Sequence, residues 1–368
     1  MKKLLEGSAA IAEMVRLARV QVISAYPITP QTHIVETLAS KVANGSLPAQ
    51  YVNAESEFTA ASVILGASAV GARAYTATTS QGLLLMTEVL FNIAGLRLPV
   101  VVTCANRAVS APINIWNDHQ DAMTVRDAGW IQLYAEDNQE SVDLHLRAFQ
   151  LSEQLRLPVM VNVDGFILTH AFEPVELPSQ ADVDALLPER DRSQVLDPAH
   201  PLTLGPLAEP DSYQEARQEL AEAVEGAAEQ MELVAGDFER RFGRTSVALA
   251  GGYRLEDAET VIVALGSVNG TIKDTVDELR SAGHRVGSLK IVSFRPFPRA
   301  LVRKRLGGAK HVVVIEKALS MGSGGILATE VRDALYGLSD PPQVSGYVAG
   351  LGGRDITMDH VKQMALAA

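Results

Sequence analysis

Short apolar runs alternate with helical periodicity over the first 170 residues of the chain. The runs are rich in β-branched residues, which indicates buried strands, and helical patterns separate them. Strands that alternate with helices favour a parallel sheet covered by helices on both faces. Strands are predicted at 20–26, 73–78, 99–105 and 158–163, and helices at 30–43, 56–70, 81–95 and 140–155.

The pattern changes at about residue 179. Pro, Asp and Glu accumulate through residue 210 and periodicity is lost, which indicates a connecting segment. Residues 212–242 predict one charged amphipathic helix, which we interpret as a solvated linker helix because of its charge pattern. A second α/β unit follows. Its strands are predicted at 260–265, 286–293 and 311–316, and its helices at 271–282 and 324–336.

Length and charge narrow the class of protein. At roughly 150 residues per domain, 368 residues correspond to about two domains. The chain has 32 Lys and Arg against 44 Asp and Glu, a net charge of −12, which argues against general nucleic-acid binding. Glu6 and Glu13 interrupt what would be a signal peptide, and no apolar run approaches the ~18 residues of a membrane span. We expect a cytoplasmic protein with no nucleic-acid or membrane partner.

Few residues of the chain are candidates for a disulfide or a metal site. Cys104 is the only cysteine, so the chain forms no internal disulfide and cannot hold an iron–sulfur cluster or a Cys-rich zinc site. Residues 118–121 (DHQD) carry metal-ligating atom types but a single histidine, so we expect no metal there. Three side chains in or directly before this stretch are expected to satisfy backbone groups in a loop. They are Asn117, Asp118 and Gln120.

Two glycine-rich turns have a chemical and a structural interpretation. Residues 266–270 (GSVNG) resemble half of a dinucleotide fingerprint, which would indicate an NAD-dependent dehydrogenase. The full spacing and the acidic residue on the next strand are missing, so we favour a tight βα turn. Residues 321–325 (MGSGG) could bind an anion or a partner at the start of the last helix, and we favour a plain turn.

Three polar residues at predicted strand or helix ends each have two possible roles. Thr29, flanked by two prolines, follows the first strand, where open α/β sheets bind ligands, or lies in a turn that only ends the strand. Glu57 either caps the helix that it begins or is held for chemistry, since burying a carboxylate without a partner is costly. Arg107 suits an anionic ligand or a surface ion pair.

Six stretches, taken together and in order, resemble the α subunit of the multisubunit 2-oxoacid:ferredoxin (acceptor) oxidoreductases, closest to the pyruvate:ferredoxin oxidoreductase branch. The resemblance implies an α/β fold with two open parallel-sheet domains. These are a pyrimidine-type thiamine diphosphate-binding domain at 1–190 and a transketolase C-terminal-like domain at 251–368, joined at 191–250 by a connector with the charged helix. The stretches are YPITPQT (26–32), ESEFTAASVILGAS (55–68), TATTSQGLLLMTE (76–88), ANRAVSAPINIWNDHQDAMTVRDAGWIQLYAEDNQE (105–140), GSVNGTIKDTVDELR (266–280) and FRPFP (294–298).

The resemblance also implies cofactors and partners. Thiamine diphosphate lies between subunits, and this type of chain supplies the aminopyrimidine half of its site. A β subunit supplies the diphosphate half through Mg²⁺ with a GDG…N motif, which is absent here because Phe238 follows Gly236 and Asp237. CoA is linked to a γ subunit, and iron–sulfur clusters to a δ or other ferredoxin-like subunit, with none on this chain. Ferredoxin or a similar carrier is the acceptor.

Residue by residue, the resemblance places the aminopyrimidine-binding glutamate at Glu57, with Glu55 as the neighbouring alternative. In that role the carboxylate favours the tautomer that activates the cofactor, a proton-transfer contribution of ~10²–10⁴-fold. Thr29 and Arg107 match the residues that hold the substrate carboxylate. The chain is assigned no metal ligand. The remaining cofactor-binding residues, in the turn after the first strand, are Pro27 and Ile28.

The reaction implied is oxidative decarboxylation of a 2-oxoacid to acyl-CoA and CO₂, with electrons passed to iron–sulfur clusters on partner subunits. Pyruvate is the expected substrate because the stretch NR-x-x-SAPINIWNDHQD resembles the pyruvate branch. Phenylglyoxylate and branched-chain 2-oxoacids are the alternatives within the class. A non-catalytic structural subunit is the alternative of another class. The second α/β unit is expected to serve packing and assembly.

Overall fold

Buried apolar runs form the strands of two open sheets in a computed structural model of the chain, which describes residues 2–189 and 193–367. The predicted boundary between residues 190 and 191 lies outside the described residues. In chain order the strands are β1 (Lys2–Glu6), β2 (Val22–Ala25), β3 (Gln50–Asn53), β4 (Ala74–Thr78), β5 (Val100–Asn106), β6 (Ile131–Tyr134), β7 (Val159–Asp164), β8 (Phe172–Glu176), β9 (Ala250–Tyr253), β10 (Thr260–Ala264), β11 (Val286–Ile291), β12 (Ser293–Arg295), β13 (His311–Glu316) and β14 (Gln343–Val348).

Helices cover these sheets, and within the described ranges none is long and apolar enough to cross a lipid bilayer. In chain order they are α1 (Gly7–Leu17), α2 (Thr32–Ala43), α3 (Glu57–Ala69), α4 (Ser80–Leu85), α5 (Thr87–Gly95), α6 (Gln120–Thr124), α7 (Asn138–Leu155), α8 (Gln180–Leu186), α9 (Tyr213–Phe242), α10 (Val268–Ser281), α11 (Arg299–Leu306), α12 (Ile326–Leu335) and α13 (Met358–Leu366).

The two larger sheets confirm the predicted fold class. Counted over the described residues, the first has seven strands in the order β12-β6-β7-β5-β4-β2-β3, and its pairs are parallel except that with β12. The second has the order β14-β13-β10-β11-β9 and is parallel except at β9. A small antiparallel pair, β1 with β8, lies apart. Parallel sheets of this kind are buried on both faces, which explains the continuous apolar runs.

The charged helix α9 corrects the sequence interpretation. We expected a solvated linker, but the helix packs one face against α7 and α5. The apolar residues on that face recur at three-, four- and seven-residue intervals, the spacing of one helical stripe. Charged residues surround this stripe in the sequence and conceal it. The buried residues of α9 are Leu220, Ala227, Met231, Val234, Ala235 and Phe238.

Strand β12 joins the two units through main-chain pairing. The predicted strand 286–293 divides into β11, which stays in the second sheet, and β12, which pairs antiparallel with β6 at the edge of the first sheet. Ser293 pairs with Leu133 and Arg295 with Gln132. The second unit therefore completes the first sheet.

A buried charge network joins the carboxyl ends of the two sheets. Asp164 ends β7, and its Oδ1 lies 2.7 Å from Nε2 of His119. Its Oδ2 lies 2.8 Å from Nζ of Lys317, just after β13, and accepts a hydrogen bond of 3.1 Å from the Ser267 amide. Burial alone would favour the neutral acid, but Lys317 and His119 hold the pKa of Asp164 well below its usual range. The network therefore contains a carboxylate anion at neutral pH.

Removing this anion should destabilise the folded chain. Asp164→Asn leaves the Lys317 ammonium buried without its counter-ion, so we expect the free energy of unfolding to fall by about 3–5 kcal/mol. Because the folded pKa is depressed, the stabilisation is complete above the ordinary aspartate value of about 4 and is lost as the pH falls below it. Urea titration at pH 7 and at acidic pH measures both effects.

Asp184→Asn is the matched control. Asp184 pairs with Arg19 on the surface, where solvent screens the charges, and its loss should leave the urea midpoint nearly unchanged. Equal losses in the two variants would show that the buried network does not stabilise the contact between the sheets.

Candidate active site

The site lies where the strand order of the first sheet reverses. β2 pairs with β3 on one side and with β4 on the other, so the strands that follow β2 in the chain are added to the sheet on opposite sides of it. Open α/β sheets bind ligands outside the carboxyl ends of strands at such a point. The side chain of Gln31 spans the gap, and its Nε2 donates to the carbonyls of Tyr26 and Ala77, each at 3.0 Å. The turn after β2 is thereby fastened to β4.

Arg107 follows β5 at the same edge and is only 6% exposed. Its Nη1 donates to the Thr29 carbonyl at 2.8 Å, and its Nε to the Asn114 carbonyl at 3.0 Å. Over the described ranges no carboxylate lies within ion-pair distance of this guanidinium, and Nη2 has no hydrogen-bond partner. Burial lowers the pKa of Arg107, against the opposing effect of Asp121. A buried cation held by carbonyls alone is suited to an anionic ligand.

Asp121 fixes the backbone on which Arg107 lies. Its Oδ2 accepts hydrogen bonds from the amides of Arg107 at 3.0 Å and Ser80 at 2.9 Å, and its Oδ1 accepts one from Nδ2 of Asn106 at 3.0 Å. Ser80 has a φ of +51°, a conformation that costs free energy outside glycine and occurs often at functional sites. The sequence analysis did not single out Asp121 for this role, because its partners lie 14 to 41 residues away.

Glu57 is the first residue of α3 and is 6% exposed. Ser56 caps the helix by accepting from the Thr59 amide, so the capping interpretation of Glu57 is not needed. The Glu57 carboxylate accepts no hydrogen bond from the described residues. The competing residue, Glu55, is exposed and accepts a hydrogen bond of 2.5 Å from the Thr59 hydroxyl. Of the two carboxylates, Glu57 is the one that is buried and open to a ligand.

The Glu57 carboxylate packs closely against the Thr78 side chain and the backbone of Gly82. A Cβ added at Gly82 would lie 2.6 Å from Oε1 of Glu57 and 2.7 Å from Oγ1 of Thr78, so only glycine fits under these groups. The Thr78 hydroxyl, at the end of β4, is buried and has no partner among the described residues. An unpartnered carboxylate and an orphaned hydroxyl are groups that hydrogen-bond the nitrogen edge of an aminopyrimidine ring.

The turn predicted to hold Thr29 is more open than its prolines suggest. Thr29 and Pro27 are exposed and Ile28 is partly buried. Thr29 contacts Arg107 through its carbonyl, and its hydroxyl stays available to a ligand. The structure therefore brings Thr29 and Arg107 together, and it places Glu57 beside the end of the neighbouring strand β4.

The second unit reaches this site through a glycine turn. Nδ2 of Asn114 donates to the carbonyl of Gly352 at 3.1 Å, and the Gly353 amide donates to the carbonyl of Asn117 at 2.7 Å. A side chain at Gly353 would collide with Trp116, because a Cβ there would lie 2.4 Å from the Trp116 Cβ. This turn therefore clamps the loop whose Asn114 carbonyl supports Arg107. The sequence predicts that the second unit serves packing and assembly, and this contact with the loop beside Arg107 is not evident from the sequence.

The loop at 117–120 behaves as predicted. Asp118 accepts hydrogen bonds from the amides of Gln120 and Gly352, and burial raises its pKa. The Gln120 side chain accepts one from the Leu319 amide at 3.0 Å, and the Asn117 side chain donates to the Asn106 carbonyl at 3.1 Å. These polar groups satisfy backbone across the two units.

Both glycine-rich turns serve structural contacts. Ser267 binds Asp164, and the Gly266 backbone at φ +71° packs so close to it that a Cβ would lie 2.9 Å from Oδ1 of Asp164. At the start of α12 the amides of Leu327 and Ala328 donate to the carboxylate of Glu316 at 2.7 and 3.0 Å. The helix terminus that could have bound an anion is therefore filled by a residue of the chain itself.

Family models match both units of the chain. The family described as "Pyruvate flavodoxin/ferredoxin oxidoreductase, thiamine diP-bdg" matches residues 13–236, and "Pyruvate:ferredoxin oxidoreductase core domain II" matches residues 258–361.

Named relatives cover nearly the whole chain. The pyruvate synthase subunit PorA of Methanosarcina barkeri is 50% identical over 98% of this chain and 90% of its own length. The PorA subunit of Thermotoga maritima is 48% identical over 97% of this chain and 92% of its own length. The ketoisovalerate oxidoreductase subunit VorA of Pyrococcus abyssi is 43% identical over 99% of this chain and 92% of its own length.

Solved structures share the fold. The 2-oxoglutarate:ferredoxin oxidoreductase of Magnetococcus marinus superposes with a TM-score of 0.76 at 20% identity, and the match spans 98% of this chain and 64% of that one. A split-gene transketolase superposes with a TM-score of 0.59 at 15% identity over 100% of this chain and 98% of that one. The solved structures agree in fold, and the family models and relatives confirm the predicted resemblance: the chain belongs to the pyruvate flavodoxin/ferredoxin oxidoreductase family, a family of thiamine diphosphate-dependent 2-oxoacid oxidoreductases.

Proposed function

We propose that this chain is the α subunit of a pyruvate:ferredoxin oxidoreductase that decarboxylates pyruvate oxidatively, transfers the acyl group to CoA and passes electrons to iron–sulfur clusters on partner subunits. The observation that carries the proposal is the state of Arg107. This guanidinium is buried at the switch point of the sheet, lacks a carboxylate partner among the described residues and has a free Nη2. A 2-oxoacid supplies the carboxylate that this arginine lacks.

The substrate carboxylate is bound by Arg107, and the Thr29 hydroxyl beside it provides a second donor. Because Asp121 and the Asn114 carbonyl fix the arginine, its fork is oriented before the substrate arrives. Such preorganisation places the reacting carbon at small entropic cost. An uncharged aldehyde of the same size has no group for this fork to bind, so the pocket favours 2-oxoacids.

Glu57 binds the aminopyrimidine ring of thiamine diphosphate, with Pro27 and Ile28 in the turn that borders the ring. The cofactor supplies the electron sink for decarboxylation when it is bound. In this role the Glu57 carboxylate hydrogen-bonds a nitrogen of the ring, and Gly82 lets the Glu57 side chain lie against the start of α4. The GDG…N motif is absent from the sequence, so we assign the diphosphate and Mg²⁺ to a β subunit.

Exposed apolar side chains around the site support a partner that covers it. Ile113 is 81% exposed and Trp116 51%, and both lie on the loop beside Arg107. Phe58, next to Glu57, is 39% exposed. Apolar groups exposed in a cluster mark contact surfaces. The β subunit would cover this face, while a γ subunit linked to CoA and a δ or other ferredoxin-like subunit would complete the path to ferredoxin.

Pyruvate is favoured because several relatives at 44–50% identity are named pyruvate synthase subunits. A branched-chain 2-oxoacid is the second candidate, since a relative at 43% identity is named a ketoisovalerate oxidoreductase subunit. Phenylglyoxylate remains an alternative within the class.

We also propose the division into domains at 1–190, 191–250 and 251–368.

The substrate is tested with the complex purified anoxically through a tag on this chain. CoA-dependent viologen reduction is measured with pyruvate, 2-oxoglutarate, phenylglyoxylate and 3-methyl-2-oxobutanoate. We expect the highest kcat/KM with pyruvate. A higher value with 3-methyl-2-oxobutanoate would assign the branched-chain substrate instead. Absence of turnover with all four, in a complex that contains thiamine diphosphate and iron, would overturn the proposed reaction.

Replacing Glu57 should stop turnover without preventing assembly. In Glu57→Gln the neutral amide no longer favours the reactive ring tautomer, and we expect kcat to fall by ~10²–10⁴-fold. Stopped-flow viologen reduction measures kcat, and gel filtration of the tagged complex checks assembly. Glu55→Gln is the matched control, because Glu55 is exposed and faces Thr59, and it should retain normal turnover. Normal turnover in Glu57→Gln would exclude the assignment.

Replacing Arg107 should weaken substrate binding selectively. Arg107→Lys keeps the charge but loses the fork, so we expect kcat/KM for pyruvate to fall by about 10- to 150-fold, chiefly through KM. Arg97→Lys is the control. Arg97 also binds two backbone carbonyls, those of Leu155 and Arg156, but away from the site. An unchanged KM in Arg107→Lys together with a lower melting temperature would show that the arginine is structural.

A further inference from the structure

Two imidazoles and a carboxylate meet on one surface of the first unit, outside the site described above. Glu6 ends β1, His33 lies in the first turn of α2, and His170 lies between β7 and β8. One ligand atom from each residue lies within 4.8 Å of the other two. Over residues 2–189 and 193–367, it is the single group of three His, Cys, Asp or Glu side chains that approach this closely.

The backbone holds two of these residues together independently of their side chains. β1 pairs with β8, with Glu6 opposite Phe172. The Gly7 amide donates to the Ala171 carbonyl at 3.0 Å, and the Ser8 amide to the Thr169 carbonyl at 2.9 Å. Only glycine permits this approach, because a Cβ at Gly7 would lie 2.1 Å from the Leu168 carbonyl oxygen. Glu6 and His170 are therefore fixed as neighbours by main-chain contacts.

The position of His33 is fixed from the other side. α2 begins directly after Gln31, whose side chain is anchored to the carbonyls that follow β2 and lie in β4. The His33 side chain extends toward Glu6, and its Nδ1 lies 2.6 Å from Oε1 of that residue. Three separate segments of the chain thus converge with their ligand atoms already close.

The two imidazole rings lie against each other. His33 and His170 face each other with centroids 4.6 Å apart and an angle of 34° between the rings. Nδ1 of His170 is held at 2.7 Å by the Thr169 hydroxyl, which leaves Nε2 as its ligand atom. A hydrogen bond on the second ring nitrogen is the arrangement that orients metal-binding histidines. A single Glu–His hydrogen bond would require only one of the two imidazoles.

From this convergence we propose that Glu6, His33 and His170 bind one divalent transition-metal ion of the zinc type. Two imidazole nitrogens and one carboxylate oxygen are ligands that Zn²⁺ accepts, with water in the fourth position. Hard cations such as Mg²⁺ and Ca²⁺ prefer oxygen ligands and are excluded by this donor set. The ion would replace the hydrogen bond between Glu6 and His33, and His33 is free to rotate because its side chain is 48% exposed.

Such an ion would act as a staple near the substrate site. It would tie the amino-terminal strand and the turn before β8 to the start of α2, four residues beyond Thr29. The Phe166 ring extends the contact, since it packs at 4.8 Å on His170 and at 4.6 Å on Trp116, beside the loop that supports Arg107. The proposal does not depend on the reaction proposed above.

The test measures zinc on the full chain, purified with its copurifying subunits. The protein is dialysed against EDTA, loaded with Zn²⁺, passed through gel filtration and analysed for zinc by mass spectrometry, which distinguishes zinc from iron. We expect the unmodified protein to retain one more zinc per chain than His170→Ala and His33→Ala. Zinc should also raise the melting temperature of the unmodified protein and not that of the variants, because an ion that binds only the folded state stabilises it.

His200→Ala is the matched control. His200 is an exposed histidine near a carboxylate, 3.5 Å from Asp197, and this variant should keep its zinc. His33→Ala removes an exposed side chain, so its loss of zinc cannot be attributed to misfolding. Glu6→Gln keeps the size of the third ligand and removes its charge, so it should also lose zinc. Equal zinc contents in the unmodified protein and His33→Ala would overturn the site. Loss of zinc in His200→Ala as well would show non-specific binding and would also overturn it.

Discussion

The two sheets of this protein meet around one buried carboxylate. Asp164 ends a strand of the first sheet, and the ammonium of Lys317, just after a strand of the second, compensates its charge. A carboxylate buried this deeply exists as an anion only because Lys317 and His119 share its charge. Sliding one sheet against the other would separate the charges in a medium that cannot solvate them. The register between the units, and with it every loop at the facing strand ends, follows from this constraint.

Asp121 is a second buried carboxylate, but unlike Asp164 it does not pair with the cation beside it, Arg107. Its carboxylate accepts hydrogen bonds from the main-chain amides of Ser80 and Arg107. It forms no ion pair with the Arg107 guanidinium. Arg107 in turn is supported by carbonyl dipoles. The buried guanidinium thereby has no carboxylate in ion-pair contact within the described part of the chain. That arrangement costs stability and is sensible only where a ligand brings the negative charge.

The features that a local sequence pattern determines could be predicted. Apolar runs located most strands of both sheets, and the matching motifs identified Glu57 and Arg107, which the structure finds buried at neighbouring strand ends. Contacts between segments that are distant in the sequence could not be predicted. Asp164 and Lys317 are 153 residues apart, and Asn114 meets Gly352 across 238 residues. In α9 the charged residues outnumber the apolar stripe between them and dominate the pattern, although the spacing of the stripe is readable in the sequence.

The pairing of β12 with β6 has a consequence for synthesis of the chain. Residues 131–134 leave the ribosome long before residues 293–295, so the nascent first sheet presents an open strand edge during that interval. An unpaired edge is a template for association with other chains. A gene fragment that ends at the connector would make this temporary exposure permanent. The second unit therefore protects the first against edge-to-edge association as well as packing against it.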